Sequence, residues 1–220
     1  MKTTIYLIRH GQTEWNVQRR MQGRMDSPLT ALGIEAAMKL SEVFPPFGKE
    51  NCAPTQSVPT VGKVYCSPSG RTLQTANILF SGQNIVCEDR LLEINMGSWE
   101  GRLQSELDVE EPALHACFWD APQHYSKEGA ENVAQVTERA VEFFQEIAER
   151  HQGETIAVVS HTVVIRSILF LIEPRDLCDF WKPPAVYPAS VSEVELIDGV
   201  ARIVRFGCTA HHDHNHSGAY

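Results

Sequence analysis

The feature that constrains this chain most is a short apolar run near its start, Ile5-Tyr6-Leu7-Ile8, which stops abruptly at Arg9-His10-Gly11. About four apolar residues suffice for a buried strand and are too few for a helix, so the polar residues that follow sit at a strand end. Open α/β sheets build their ligand sites there. Gly11 frees the backbone to turn and to approach an anion, Arg9 adds a permanent cation and His10 a nitrogen nucleophile, a set that suits phosphate. The tripeptide alone would serve equally well as a strand end with two surface cations. The longer string, through Gln12-Thr13-Glu14-Trp15-Asn16, is more informative.

Two further strand ends repeat the pattern. Residues 63–66 form a short strand that turns through Pro68 and Gly70 into a helix beginning near Arg71. A helix N-terminus attracts anions and an arginine there adds a bidentate fork, although Arg71 could also point to water. Residues 155–159 are the most convincing buried strand, running into Ser160-His161-Thr162 and an apolar helix at 163–172 that Pro174 stops. A third strand at 84–87 leads to Glu93, a carboxylate between Leu92 and Ile94. Such neighbours raise a carboxyl pKa, as a general acid requires, but Glu93 could as easily be surface charge.

Between these places the chain alternates helices with loops. Residues 17–25 are polar, with Gln18, Arg19, Arg20, Gln22 and Arg24 in a loop over the site. Thr30 caps a helix with apolar positions Ile34, Ala37, Met38 and 41–44, ended by Pro45-Pro46. Residues 47–62 read as an exposed irregular loop. Residues 104–128 have weak periodicity and carry His115, Phe118, Trp119, His124 and Tyr125, whereas a clear helical stripe runs from Val133 to Ile147 and stops before Gly153. Residues 191–197 and 200–206, joined at Asp198-Gly199, form a closing hairpin. The His-rich tail, 207–220, contains metal-ligand residue types but reads as a disordered polar tail.

With 220 residues and 43% hydrophobic content, one domain is expected over 1–206. A net charge of −9 argues against nucleic acid or an anionic membrane surface as partner, so positive charge at a phosphate site must be local. No apolar run reaches roughly 18 residues and no secretory signal opens the chain. The six cysteines include no Cys-x-x-Cys pair, which fits reduced thiols in a cytoplasm.

Four strings together resemble the histidine phosphatase superfamily, whose best-known members are the cofactor-dependent phosphoglycerate mutases. They are Arg-His-Gly-x-Thr-x-x-Asn from Arg9, Asp-Ser-Pro-Leu-Thr-x-x-Gly from Asp26, Ser-Pro-x-x-Arg-Thr-x-Gln-Thr-Ala from Ser67, and Leu-x-Glu-x-x-x-Gly-x-Trp-Glu-Gly from Leu91. The resemblance implies a three-layer α/β/α sandwich, with a mostly parallel sheet and helices on both faces. It also implies a lid insertion at about 102–128 that covers the site and shapes substrate choice. Its aromatic residues would line a pocket for the leaving group or merely seal the lid. In catalysis it implies His10 as nucleophile, Arg9, Arg71 and His161 as the charge clamp, and Glu93 as acid. Asn16, Gly11, Gln22 and Thr162 would be substrate contacts. Thr162 stands where the family mostly has glycine, and Thr72 replaces a common alanine.

The expected activity is a metal-independent phosphomonoester hydrolase of broad specificity acting on small organic phosphates through a phosphohistidine, with no cofactor and no metal. Ser69-Gly70 before Arg71 is similar to the broad-specificity bacterial phosphatases of the group. A phosphoglycerate mutase is the alternative, against which stands the absence of the string Arg-His-Tyr-Gly after the acid. A specific phosphatase, such as one for alpha-ribazole phosphate, is another. A catalytically dead phospho-ligand binder is disfavoured by the presence of all five core residues. The expected partner is a small phosphate ester, with no membrane; a homodimer is left open.

Overall fold

The computed structural model describes residues 1–43 and 61–212. Six strands form one sheet: β1 (Lys2–Arg9), β2 (Lys63–Cys66), β3 (Ile85–Cys87), β4 (Thr155–Ser160), β5 (Val191–Ile197) and β6 (Val200–Cys208), in the order β3-β2-β4-β1-β5-β6. The first four are mutually parallel, and β5 and β6 add an antiparallel edge. Seven α-helices accompany them among the described residues: α1 (Glu14–Gln18), α2 (Ala31–Val43), α3 (Gly70–Leu79), α4 (Gln104–Glu110), α5 (Pro112–Asp120), α6 (Val133–Arg150) and α7 (Thr162–Ile172).

The three-layer arrangement follows from the two-residue period of a strand, which sends successive side chains to opposite faces. Ile5 and Leu7 of β1 pack with α6 and α7, while Tyr6 and Ile8 pack with Leu40 of α2 and with Ala76 and Phe80 at α3. A strand covered on both faces must be apolar throughout, which is why β1 and β4 look like continuous hydrophobic runs. The stripe on α6 behaves as its spacing requires: Val133, Val136, Ala140, Phe143, Phe144 and Ile147 are all buried. Asn132 starts that helix through a reciprocal capping box with Gln135. Thr30 caps α2, its hydroxyl accepting from the Gly33 N–H at 2.9 Å. Asp198 and Gly199 both take positive φ, the turn that matches the twist of the β5–β6 hairpin.

Several expectations need adjustment. Residues 14–18 form a short helix capped by Thr13, where a loop was expected from 17 onward. The third strand begins at Ile85 rather than at 84. The weakly periodic stretch 104–128 holds α4 and α5, and Phe118 of α5 packs against Trp99 and Trp181 from other segments instead of one sheet face, so a single stripe never develops. β6 continues to Cys208, two residues beyond the expected end. The His211 ring lies against the Ala189 carbonyl at 2.9 Å, which takes part of the tail back onto the body. Residues 213–220, Cys52, Pro45-Pro46 and most of the 47–62 loop lie outside the described residues. The other five cysteines are free, and no helix among the described residues is long and apolar enough to cross a membrane.

One contact fixes how the loop after β1 sits on α2. A Cβ at Gly33 would lie 2.2 Å from the Gln12 carbonyl oxygen and 2.8 Å from its nitrogen, and backbone cannot step aside as a flexible side chain can. Gly33→Ala is expected to lower stability by about 1–3 kcal/mol. Gly62→Ala, whose new carbon would meet nothing nearer than 3.8 Å, should change it by no more than about 0.5 kcal/mol. Chemical-denaturation midpoints of the two variants test the contrast.

Candidate active site

The register of three adjacent parallel strands assembles the site. Arg9 pairs with Ser160 across β1 and β4, and Cys66 pairs with Val159 across β2 and β4. With neighbouring strands about 4.8 Å apart, the next residues, His10, His161 and Ser67, emerge side by side at the C-terminal edge. The ladder continues one step into them, through His10 N–H to Ser160 O at 3.1 Å and Ser67 N–H to Val159 O at 3.0 Å. The His10 and His161 rings meet edge to face, 5.2 Å between centroids.

Hydrogen bonds set both tautomers. His10 Nδ1–H donates to the Gly11 carbonyl at 2.7 Å, which leaves the lone pair on Nε2. At His161, Nδ1 receives an N–H of Arg71 at 3.2 Å; a guanidinium can only donate, so the ring proton is on Nε2 and points to Ser67 Oγ at 2.8 Å. Both rings are held neutral. Burial pushes the His10 pKa well below its ordinary value, and Arg71 and Arg9 push it further against the pull of the Gly11 carbonyl. Burial, Arg71, His10 and Arg9 act in the same direction on His161.

Arg71 is buried next to this pair. It donates to Met25 O at 2.9 Å, Gly23 O at 2.7 Å and Asp26 Oδ1 at 2.9 Å, as well as to His161. The loop carrying those acceptors is stitched down by Glu100, whose oxygens take the N–H groups of Arg24, Met25 and Met96. Arg9 donates to the Val186 carbonyl at 2.7 Å. Glu93 is buried, with its oxygens near the N–H groups of Ile94 at 2.9 Å and Val163 at 3.4 Å. Burial raises its pKa, opposed by those N–H groups and by Arg71 and Arg9, so the carboxyl takes up a proton more readily than an exposed one.

A cavity of about 570 Å³, counting its solvent-open part, opens at His10. Arg9, His10, Asn16, Gln22, Glu93 and Thr162 line its inner end. The oxygens of Asn16 and Gln22 are engaged by the Thr13 N–H and hydroxyl, so both offer their amide nitrogens, and Gln22 Nε2 is buried without a partner among the described residues. Arg71 and His161 are buried next to His10, His161 through its ring and Arg71 through its bond to His161. Gly11 stands apart from the lining too: its N–H goes to Thr75 Oγ1 at 3.1 Å, and a Cβ there would lie 2.6 Å from the Gly33 carbonyl oxygen. Its missing side chain therefore serves the packing of two backbones.

The outer end of the cavity is lined by Arg20, Gln104, Phe118, Trp119 and Trp181. Arg20 is distinguishable in sequence only as one of several polar residues on the 17–25 loop. Trp181 lies in a Pro-rich irregular segment with no periodicity to mark it, and is brought in by its Nε1–H donating to the Phe118 carbonyl at 2.7 Å. Of the lid aromatics, Phe118 and Tyr125 seal against Trp99 while Trp119 is half-exposed, so the lid both seals and lines. Chemically, the inner end presents a neutral imidazole nitrogen, fixed cationic and amide donors, and a carboxyl biased toward its protonated form.

The family model for the histidine phosphatase superfamily (branch 1) matches residues 5–209. Phosphoserine phosphatase 1 of Hydrogenobacter thermophilus is 31% identical over 179 residues, 80% of this chain and 79% of that one. A probable phosphoglycerate mutase of Salmonella paratyphi B is 31% identical over 170 residues, 76% and 74% of the two chains. Among solved structures, YhfR of Bacillus stearothermophilus is similar with a TM-score of 0.85 and 37% identity, covering 95% of this chain and 98% of that one. A putative alpha-ribazole-5'-P phosphatase of Escherichia coli shares the fold, with a TM-score of 0.77 at 24% identity over 91% and 94% of the chains.

The depressed His10 pKa couples stability to pH. Between the folded value and the ordinary value of about 6.5, the unfolded chain binds a proton that the folded one refuses, so this contribution is present above about 6.5 and lost as pH falls. His161 has the same sign, Glu93 the opposite one. The stability difference between the wild type and His10→Gln should shrink, in favour of the variant, by up to about 1.4 kcal/mol per pH unit below about pH 6. Urea titrations at pH 7, 6 and 5 measure it, and a constant difference would mean that His10 titrates normally in the folded protein.

Proposed function

This chain belongs to the histidine phosphatase superfamily (branch 1), as an enzyme of phosphatase type, and we propose that it hydrolyses a broad range of small organic phosphomonoesters without a metal, through a phosphohistidine on His10. The observation that carries the reading is the His10 tautomer: Nδ1–H is committed to the Gly11 carbonyl, and a neutral Nε2 lone pair is left for in-line attack.

In the first step Nε2 forms a bond to phosphorus while the ester P–O bond breaks. Glu93, whose hold on a proton burial strengthens, serves as the acid and gives a proton to the departing alkoxide. Charge on the equatorial oxygens is met by Arg9 and by the amide nitrogens of Asn16 and Gln22, with the Thr162 end of α7 beside them. Arg71 acts at one remove: it fixes His161 and keeps positive potential near the phosphoryl group, available to it directly once an anion draws it from its carbonyl cage. In the second step water attacks phosphorus, its proton returns to Glu93, and the N–P bond breaks to release inorganic phosphate. Atoms and charge balance with no other reactant.

The substrate is taken to be a small molecule rather than nucleic acid, in keeping with a net charge of −9, and the reading requires neither a homodimer nor any particular compartment beyond the expected cytoplasm. The Salmonella relative keeps a mutase in view as the second reading. A mutase would convert 3-phosphoglycerate into its 2-isomer faster than it releases phosphate when 2,3-bisphosphoglycerate is supplied.

A phosphate-release assay over sugar, nucleotide, amino-acid and cobamide-precursor phosphates tests breadth: activity confined to one ester would replace the broad reading with a specific one. His10→Ala should reduce turnover to background, while a chelator should leave the wild type unchanged; loss in chelator would point to a metal. Glu93→Gln should slow the single-turnover burst by about 10²–10⁴-fold for alkyl phosphates and far less for p-nitrophenyl phosphate, whose leaving group needs no proton. Equal losses on both would remove Glu93 from the acid role.

A further inference from the structure

Glu93 sits on a segment with no ladder of its own. From Leu92 to Met96 the backbone is neither helix nor strand, yet Glu93, Ile94 and Met96 are buried, so its polar groups need partners that no neighbouring strand provides. Side chains provide them. Ser160 Oγ–H donates to the Leu91 carbonyl at 2.8 Å, which ties the segment to the end of β4 beside His161. Most of the remainder comes from one ion pair, Arg139 of α6 with Glu131 just ahead of that helix.

Arg139 places all five of its N–H groups. Nε–H and one N–H of Nη2 go to the two carboxylate oxygens of Glu131, at 3.0 and 3.1 Å. Nη1 donates to the Arg90 carbonyl at 2.7 Å and the Leu92 carbonyl at 2.5 Å, and the second N–H of Nη2 to the Glu93 carbonyl at 3.2 Å. Glu131 continues the clamp: its Oε2 accepts the Asn95 N–H at 2.8 Å, and its own N–H donates to the Asn95 carbonyl at 2.8 Å. The backbone is thus held on both sides of Glu93. Its carboxyl has no comparable anchor, because the Ile94 N–H belongs to the same segment and the Val163 N–H of α7 is 3.4 Å away.

A general acid works only within about 2.6–3.2 Å of the atom it protonates, and a misplacement of about 1 Å can cost roughly 10²-fold. We infer that Arg139 and Glu131 are positioning residues for Glu93, setting the reach of the acid through its backbone, a role that rests on the hydrolase reading above. The same bonds also stabilise the fold, and the two roles part in their dependence on the leaving group. Loss of stability lowers the amount of active enzyme for every ester alike. Displacement of the acid slows only the esters whose leaving oxygen needs a proton.

Arg139→Lys keeps the charge and loses the five-donor fork. Rapid-quench measurement of the single-turnover burst should show a loss roughly 10- to 100-fold greater on n-propyl phosphate than on p-nitrophenyl phosphate. The ratio of the two rates, taken on one preparation, is independent of the fraction folded. Added to Glu93→Gln, where the acid is already gone, Arg139→Lys should leave that ratio unchanged. Glu131→Gln keeps an acceptor for Asn95 and withdraws one from Arg139, so it should move the ratio the same way by a smaller factor, and it reads the role if Arg139→Lys does not fold. The only ion pair that Glu131 makes elsewhere, to the exposed Arg24 at 3.3 Å, is a surface contact of little weight.

Equal losses on the two esters in Arg139→Lys and Glu131→Gln, with Glu93→Gln still selective, would overturn the positioning role and leave the acid and the hydrolase standing. A further change of ratio on adding Arg139→Lys to Glu93→Gln would also overturn it, since Arg139 would then act elsewhere than through Glu93. Equal losses in Glu93→Gln itself would remove the acid and the positioning role together, and a wild type that cleaves neither ester would remove the hydrolase reading as well.

Discussion

A buried arginine that is satisfied mainly by neutral acceptors is the constraint on which this site depends. Removing a guanidinium from water costs several kcal/mol unless its N–H groups find partners. Arg71 finds them in two loop carbonyls, the half-exposed Asp26 and the ring of His161. Burial is the larger cause of the low pKa of both histidines, and the field of Arg71, on which full counter-charge is not concentrated, pushes in the same direction. The same bonds shape the loop from Gly23 to Asp26, which Glu100 fastens to the segment after Glu93. Gly23 has no room for a side chain there, a Cβ lying 2.5 Å from the Ile94 carbonyl oxygen.

Burial acts on the two kinds of titratable group in opposite directions. A desolvated imidazole loses its proton and a desolvated carboxyl keeps it. His10 and Glu93 line one cavity, share the influence of Arg9 and Arg71, and are displaced from their ordinary pKa values in opposite senses. The protein as a whole is acidic, so this positive potential is local and is protected from water by the layers above and below it.

The lid divides the work differently. Phe118 and Tyr125 close over Trp99, an apolar seal that fixes where α4 and α5 sit. Trp119 and Trp181 lie at the edge of that seal with their N–H groups engaged by His115 and the Phe118 carbonyl, and both line the cavity. The histidine pair and the segment that closes over it are therefore built from separate parts of the chain, strand ends in one case and short helices with irregular segments in the other.

That separation explains what was legible in the sequence. The parallel strands, the helix stripe of α6, the cap at Thr30 and the strand-end positions of Arg9, His10, Arg71 and His161 follow from short-range patterns, and the match of four strings to a known family supplied the expected residue roles. Glu93 was visible as a carboxylate between apolar neighbours, but its burial was not. Tertiary structure alone decided that Arg71 bonds the ring of His161 against His10, that Gly11 packs against Gly33, and that Trp181 joins Trp119. Each of those outcomes depends on segments far apart in the chain meeting at one sheet edge. Local periodicity records which face a residue turns toward the core, and contains no information about which distant residue will be waiting there.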